Sequence, residues 1–413
     1  MFTAEVLLTA ACTWLLWRNG RRILASVRLS AGPGSPLALM LPALTLVFAG
    51  FGIRIARTPH GAYDGWAVWN WEARLLYRGG SHWRAFLPFA YHGDYPLLVP
   101  SITARFWRYM GMEVPEAGAW LGVVLALCSI AVLVLTLAEL RSARLGTLFG
   151  LTLIGTPSYL NYATSQYADV PVGFFFLASL ALIAIYFEHE SEPESRRIMM
   201  LAGFLAGCSA WTKNEGIVFI IALSIALLMP VIHKSAETLR RVLAFGAGAA
   251  VPLIVVIVFK ATNNVQNYII AYHEGKLQLM LHLDRHEMIL SYLGKYIFSS
   301  GGWAISPYIP LLALILAWGF QRRIFKSDGW RTLLITLLFV CAGYYFVYLT
   351  TPADLKWHIE TSMERLFLQL WPSFLLLAGL MCRPAYIPGN SRGWLVRPRE
   401  PLTHDGNPLW PVL

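Results

Sequence analysis

Apolar residues arrive in this chain as long uncharged blocks, and that clustering excludes more folds than any other feature of the sequence. A block near or above about 20 residues is long enough to cross the hydrocarbon core of a bilayer as a helix. Blocks bounded by charged breaks fall near 3–17, 37–55, 118–138, 145–160, 170–187, 198–212, 216–230, 242–260, 303–320, 331–349 and 366–382. They predict an all-α polytopic membrane protein with about 11 transmembrane helices. Composition agrees, because 57% of the 413 residues are hydrophobic and only 14% are charged. Ordinary globular domains carry roughly a quarter charged residues, so a soluble fold is a poor description. The transmembrane domain is expected over 1–382. A tail rich in Pro, Arg and Gly over 383–413 is expected to be disordered in the cytoplasm.

A net charge of +10 suits a nucleic-acid binder only if the basic residues form a stripe. Here they sit in short loops beside apolar blocks, so no nucleic-acid partner is expected and orientation in the bilayer explains them. Glu5 precedes the first block and Arg18, Arg21, Arg22 and Arg28 follow it, a charge order opposite to that of a cleaved signal. With those arginines in the cytoplasm, alternation puts Arg141/Arg144, Arg196/Arg197, Lys234/Arg240/Arg241 and Arg322/Arg323/Lys326 on the same side. Cys12, Cys128, Cys208, Cys341 and Cys382 all lie in or beside apolar blocks and read as core residues, not as disulfide partners.

The opposite, outer face then holds a long loop over 57–116, a short one near Asn161 to Asp169, the turn Lys213-Asn214-Glu215, the segment 261–302 and the stretch Thr350 to Arg365. In the long loop, Trp66, Trp69, Ala73 and Leu76 recur at helical spacing, with Asn70, Arg74 and Arg78 on the other face. That is the pattern of an amphipathic helix lying in the interface, and Pro96 to Tyr109 forms a second candidate.

Each polar candidate carries a structural and a chemical reading. Asp64, in Tyr63-Asp64-Gly65-Trp66, is placed either to cap the interfacial helix or to accept a proton from a substrate hydroxyl at the water–lipid boundary. Asp169, before Val170-Pro171, is either another cap or a second carboxylate that orients an acceptor, tunes Asp64 or helps hold a divalent cation. Lys213 and Glu215 sit between two apolar blocks with almost no loop, so they pair with each other, snorkel, or face a cavity where Lys213 meets phosphate. Arg365 opens the last block, where a guanidinium either snorkels or grips phosphate with two parallel hydrogen bonds. Asp354, Lys356, His358 and Glu360 alternate before it, as on a solvated surface. His282 and His286 have helical metal-ligand spacing but no third ligand declares itself. No P-loop and no GxGxxG after a strand occurs, so a nucleotide mechanism has no support.

The run Tyr63-Asp64-Gly65-Trp66-Ala67-Val68-Trp69-Asn70, followed by His92-Gly93-Asp94-Tyr95-Pro96-Leu97-Leu98-Val99-Pro100, resembles the bacterial multi-spanning glycosyltransferases of the GT-C superfamily. The likeness is to the branch related to dolichyl-phosphate-mannose–protein mannosyltransferases and aminoarabinose transferases. Tyr167-Ala168-Asp169-Val170-Pro171 and Trp211-Thr212-Lys213-Asn214-Glu215-Gly216 look like further signatures in the same order, so the likeness covers roughly residues 40 to 380. The resemblance implies transfer of a hexosyl or pentosyl group from a polyprenyl-phosphate carrier to a lipid, glycan or protein acceptor. It places the enzyme in the bacterial inner membrane among membrane lipids, with its active site on the periplasmic or outer face. It implies Asp64 as general base and Asp169 beside it, Lys213 and Arg365 on the donor phosphate, and Trp66, Asp94, Tyr95, Gln166 and Glu215 near sugar or acceptor. Metal use varies in the family, which leaves a divalent cation open. Against the longer family members, a span is expected before the usual first one and no folded soluble domain after the last. The rival class is a transporter or flippase of a lipid-linked saccharide, because charged residues at span boundaries serve a substrate pathway equally well.

Overall fold

The computed structural model describes residues 36–189, 195–229, 235–263, 265, 267 and 275–384. The expected span 3–17, Cys12, the arginines after it, Lys234 and the tail beyond Pro384 lie outside the described residues. The architecture is all-helical; among the described residues the only extended pairing is an isolated antiparallel bridge between Phe320 and Cys382. Ten of the expected spans fall within the described residues and each contains a helix. The helices are α1 (Pro36–Arg57), α2 (Asn70–Arg78), α3 (Leu98–Met110), α4 (Ala117–Leu140), α5 (Ala143–Ile154), α6 (Pro157–Thr164) and α7 (Asp169–Glu188). There follow α8 (Ser195–Thr212), α9 (Asn214–Leu228), α10 (Ser235–Thr262), α11 (Leu283–Ser299), α12 (Tyr308–Trp318), α13 (Asp328–Thr350) and α14 (Leu355–Leu380). Five of them, α1, α4, α7, α10 and α13, are long and apolar enough to cross a membrane. Large apolar side chains point outward along them, such as Leu46, Leu243, Ile257 and Leu338, as expected where lipid and not a protein core is the solvent.

Helix α7 is the axis of the bundle. Its apolar window is 72% buried, and α4, α8, α13 and α14 all pack on it. Close approach relies on small residues, as membrane helix interfaces generally do. Where α8 crosses α10, a Cβ on Gly248 would lie 1.8 Å from the Met200 carbonyl oxygen. The hairpin from α8 to α9 turns through the single extended residue Lys213 (φ −158°, ψ 156°). A Cβ on Gly216 would stand 2.0 Å from the Ser209 carbonyl oxygen, so only glycine lets the chain reverse this sharply.

Three expectations are corrected. The block 145–160 is two helices, because Gly155 and Thr156 end α5 and Pro157 at the first position of α6 starts a new helix instead of continuing the old one. The stretch Thr350 to Arg365 is not an outer loop. Asp354 caps α14 by accepting from the Trp357 amide at 2.7 Å, and the helix runs from Leu355, so Arg365 stands about three turns inside it. Within the outer loop, α2 is preceded by a π-helical turn, Gly65–Trp69, in which the Asn70 amide donates to the Gly65 carbonyl. The extra residue shifts the face. Trp66 is turned outward, 49% exposed, while Asn70 is buried. Trp69 and Ala73 are buried as the helical spacing predicts.

The loop 57–116 folds on itself through α2 and α3. Trp107 is fully buried and its indole N–H donates to the Val114 carbonyl at 2.7 Å, while Glu113 pairs with Arg74 at 3.2 Å and with Arg78. The Arg78 hydrogen bond holds the Glu113 carboxyl below the usual carboxylate range, helped by Arg74.

Candidate active site

Gln166 ties the outer loop to the bundle. It has a left-handed backbone (φ 65°), its amide N–H groups donate to the carbonyls of Pro59 at 2.6 Å and Pro115 at 2.9 Å, and its oxygen accepts from Asn70 at 2.6 Å. The chain packs so tightly there that a Cβ on Gly65 would sit 2.6 Å from the Ser165 carbonyl oxygen. Gln166 is therefore buried, with its side-chain amide satisfied by protein. Beside it, the Ser165 carbonyl accepts from the Ala62 amide at 3.0 Å, two residues before Asp64 at the entrance to the π turn.

Asp64 does not cap that turn with its side chain. Its carboxylate instead pairs with the Arg365 guanidinium, Oδ2 to Nη1 at 2.6 Å, and its amide donates to the Tyr167 hydroxyl at 3.3 Å. Arg365 reaches on with Nε to Asp169 Oδ2 at 3.0 Å, and the Tyr167 ring covers the guanidinium at 4.7 Å. Asp169 is completely buried; its other oxygen accepts from Lys213 Nζ at 3.0 Å and from the Gln369 amide at 2.6 Å. Gln369 in turn accepts from the Tyr344 hydroxyl at 2.7 Å. Lys213, 3% exposed, completes the chain at Glu215 Oε1, 2.6 Å away. Thus Asp64, Asp169, Lys213, Glu215 and Arg365, separated by up to 301 positions (365 − 64), form one continuous ion network.

Exposure sorts these groups by what they can do. Asp64 is 23% and Glu215 18% exposed at the side chain, so both keep some access from outside the protein. Asp169 has both oxygens occupied and no access, which makes it the strut that aims Arg365 and Lys213. Lys213 is enclosed between two carboxylates, its expected pairing with Glu215 combined with one to Asp169, and its ammonium lies 5.9 Å from the Tyr95 ring. Arg365 fills the space between Asp64 and Asp169 that a shared divalent cation would take. Among the described residues no group of three His, Cys, Asp or Glu side chains gathers as a metal site. His286 spends both ring nitrogens on the Tyr345 hydroxyl and the Met280 carbonyl.

The His92–Tyr95 turn borders the network. Tyr95 stacks between Trp69 at 5.5 Å and His92 at 4.8 Å, and His92 adopts a left-handed backbone (φ 59°). Burial lowers the pKa of the His92 imidazole, with the nearby Asp94 and Asp64 carboxylates opposing it. Asp94 is buried and anchors the turn: it accepts from Asn214 at 2.7 Å and Asn267 at 2.6 Å, and Lys260 donates to its backbone carbonyl and to Asn214. Trp66 stands apart, outward and edge-on to Tyr63. Sequence reading missed Gln369, Tyr344 and Lys260, and named Asn214 only as part of the Lys213-Asn214-Glu215 turn. Gln369 carried a usable signal, since an amide inside an apolar block four residues after Arg365 shares its helix face.

Glu72 in α2 is 1% exposed and neither of its oxygens has a hydrogen-bond partner among the described residues. Burial raises its pKa well above the carboxylate range, the Asp94 charge adds to the rise and Lys260 opposes it. The folded state thus holds a proton that the unfolded chain releases, so this contribution to stability is full at low pH. It is lost as pH climbs from the unfolded pKa, about 4.3, through the raised folded one. Glu72→Gln should raise Tm at pH 8 and leave it unchanged at pH 4, measured by thermal unfolding in detergent.

No family model matches this chain, and no curated protein matches it. Two solved structures of ArnT from Cupriavidus metallidurans are similar to it. The one bound to undecaprenyl phosphate aligns with TM-score 0.48 and 14% identity over 83% of this chain and 60% of that one. The apo state aligns with TM-score 0.46 and 14% identity over 75% of this chain and 54% of that one. The chain therefore spans about 60% of the length of the ArnT it matches.

Proposed function

We propose that this protein is a membrane glycosyltransferase that moves a sugar from a polyprenyl-phosphate carrier to a lipid, glycan or protein hydroxyl on the outer face of the bacterial inner membrane. The observation that carries the reading is the contact of an accessible carboxylate, Asp64, with a guanidinium, Arg365, which a buried carboxylate holds in place. Glycosyl transfer from a phosphate ester develops positive charge at the anomeric carbon and negative charge on the departing phosphate. A carboxylate on one side and a fixed cation on the other stabilise both. Asp64 takes the acceptor's hydroxyl proton as the oxygen attacks the anomeric carbon, the bond to phosphate breaks with its electron pair on the phosphate, and the configuration inverts. Arg365 receives the phosphate, Lys213 adds positive field from behind Asp169, and Tyr95 with Glu215 borders the acceptor side.

Mass analysis of surface glycolipids and glycans from a strain lacking the gene tests this. A single missing sugar, restored by the wild-type gene, is expected. An unchanged set of glycans contradicts the assignment and would have to be explained by a protein of another class.

A further inference from the structure

A phosphate held by an arginine in the strong, bidentate manner needs two parallel N–H groups from one edge of the guanidinium. On each such edge of Arg365 one nitrogen is already engaged by a carboxylate in this structure. Its Nε is committed to Asp169, its Nη1 to Asp64 at 2.6 Å, and one face of the plane is covered by the Tyr167 ring. A phosphate that takes either edge therefore competes with a carboxylate already seated there. Asp169 is completely buried and accepts from Lys213, Gln369 and Arg365 together. Asp64 is 23% exposed, directly precedes the π turn and makes no capping bond with its side chain. Asp64 is the partner able to move.

We propose that the Asp64 carboxylate occupies the seat of the donor's phosphate on Arg365, so that base and phosphate exchange places on one guanidinium. This rests on the glycosyltransferase reading of the same site. In the resting protein the base is quenched by an ion pair, and phosphate arrival frees it only when a donor is present to be attacked. Charge adds a second reason for exchange. Asp64, Asp169 and Glu215 already outnumber Lys213 and Arg365, three formal negative charges against two positive. A phosphate added beside a still-seated Asp64 would deepen that excess in a site of low dielectric.

The test is undecaprenyl phosphate binding to the full chain in nanodiscs, comparing wild type, Asp64→Asn and Glu364→Gln. Glu364 neighbours Arg365 in the sequence and accepts from the Ser158 hydroxyl at 2.6 Å, a bond glutamine keeps while losing the charge. Asp64→Asn should bind at least fivefold more tightly than wild type, because the competitor for the seat is gone. Glu364→Gln should change affinity less than twofold. Unchanged or weaker binding by Asp64→Asn overturns the exchange, and equal tightening by both variants overturns it in favour of a simple field effect. Inorganic phosphate should show the same preference for Asp64→Asn at far lower affinity; affinity equal to that of the lipid overturns the lipid as the source. Absence of saturable lipid binding by every form contradicts the glycosyltransferase reading itself, a result distinct from the failure of the exchange.

Discussion

Asp64→Asn is expected to lower sugar transfer at least 10³-fold while leaving Tm within a degree or two of wild type. A positioned general base contributes on the order of 10²–10⁴ in rate. The asparagine amide keeps the size of the carboxyl but neither takes the acceptor's proton nor stabilises the positive anomeric centre. Folding should tolerate the change, since Asp64 is partly exposed and Arg365 keeps Asp169. The measurement is a transfer rate in proteoliposomes set beside a thermal melt of the same preparation. Turnover near the wild-type rate would remove Asp64 from the chemistry.

Asp169→Ala should do the reverse and act first on stability. It takes one of two carboxylates from each of two cations, Lys213 at 3% and Arg365 at 14% side-chain exposure, and orphans the Gln369 amide. Breaking a buried ion pair by removing one partner costs about 3–5 kcal/mol, which for a chain of 413 residues corresponds to a fall in Tm on the order of 3–6 °C. Asp169→Asn restores the acceptor oxygen without the charge and should recover part of that loss. A melt of Asp169→Ala indistinguishable from wild type would show that the strut carries no load.

Apolar block length predicts the helices well here because lipid enforces it, as α1, α4, α7, α10 and α13 show. Where a block held a proline or was bounded by polar residues with helix-capping ability, the rule failed for local reasons. Pro157 divided one expected span, and Asp354 started α14 well before the apolar run that marks its end. Helical periodicity placed Trp69 and Ala73 correctly on the buried face of α2. It misplaced Trp66, because one π turn shifts every residue before it and no residue type announces such a turn, and it misplaced Asn70, which is buried against Gln166.

Sequence reading put Asp64, Asp169, Lys213 and Arg365 on one side of the bilayer, and the structure joins them within hydrogen-bond distance. What stayed hidden was the division of labour. How many donors surround a carboxylate depends on elements far apart in the chain: those on Asp169 come from the α8–α9 turn and from α14. Gln166 shows the same limit from the other side, as a polar residue in a suggestive motif whose amide proves to be spent on the backbone of the loop it holds.

The reaction itself is tested most directly by following a polyprenyl-phosphate-linked sugar in proteoliposomes containing the wild-type protein, an acceptor-bearing membrane extract and lipid mass analysis. The proposed chemistry predicts that free polyprenyl phosphate appears in step with glycosylated acceptor, and that Asp64→Asn yields neither. Intact lipid-linked sugar crossing to the opposite leaflet with no polyprenyl phosphate formed would contradict it, and would make the ion network part of a transport path.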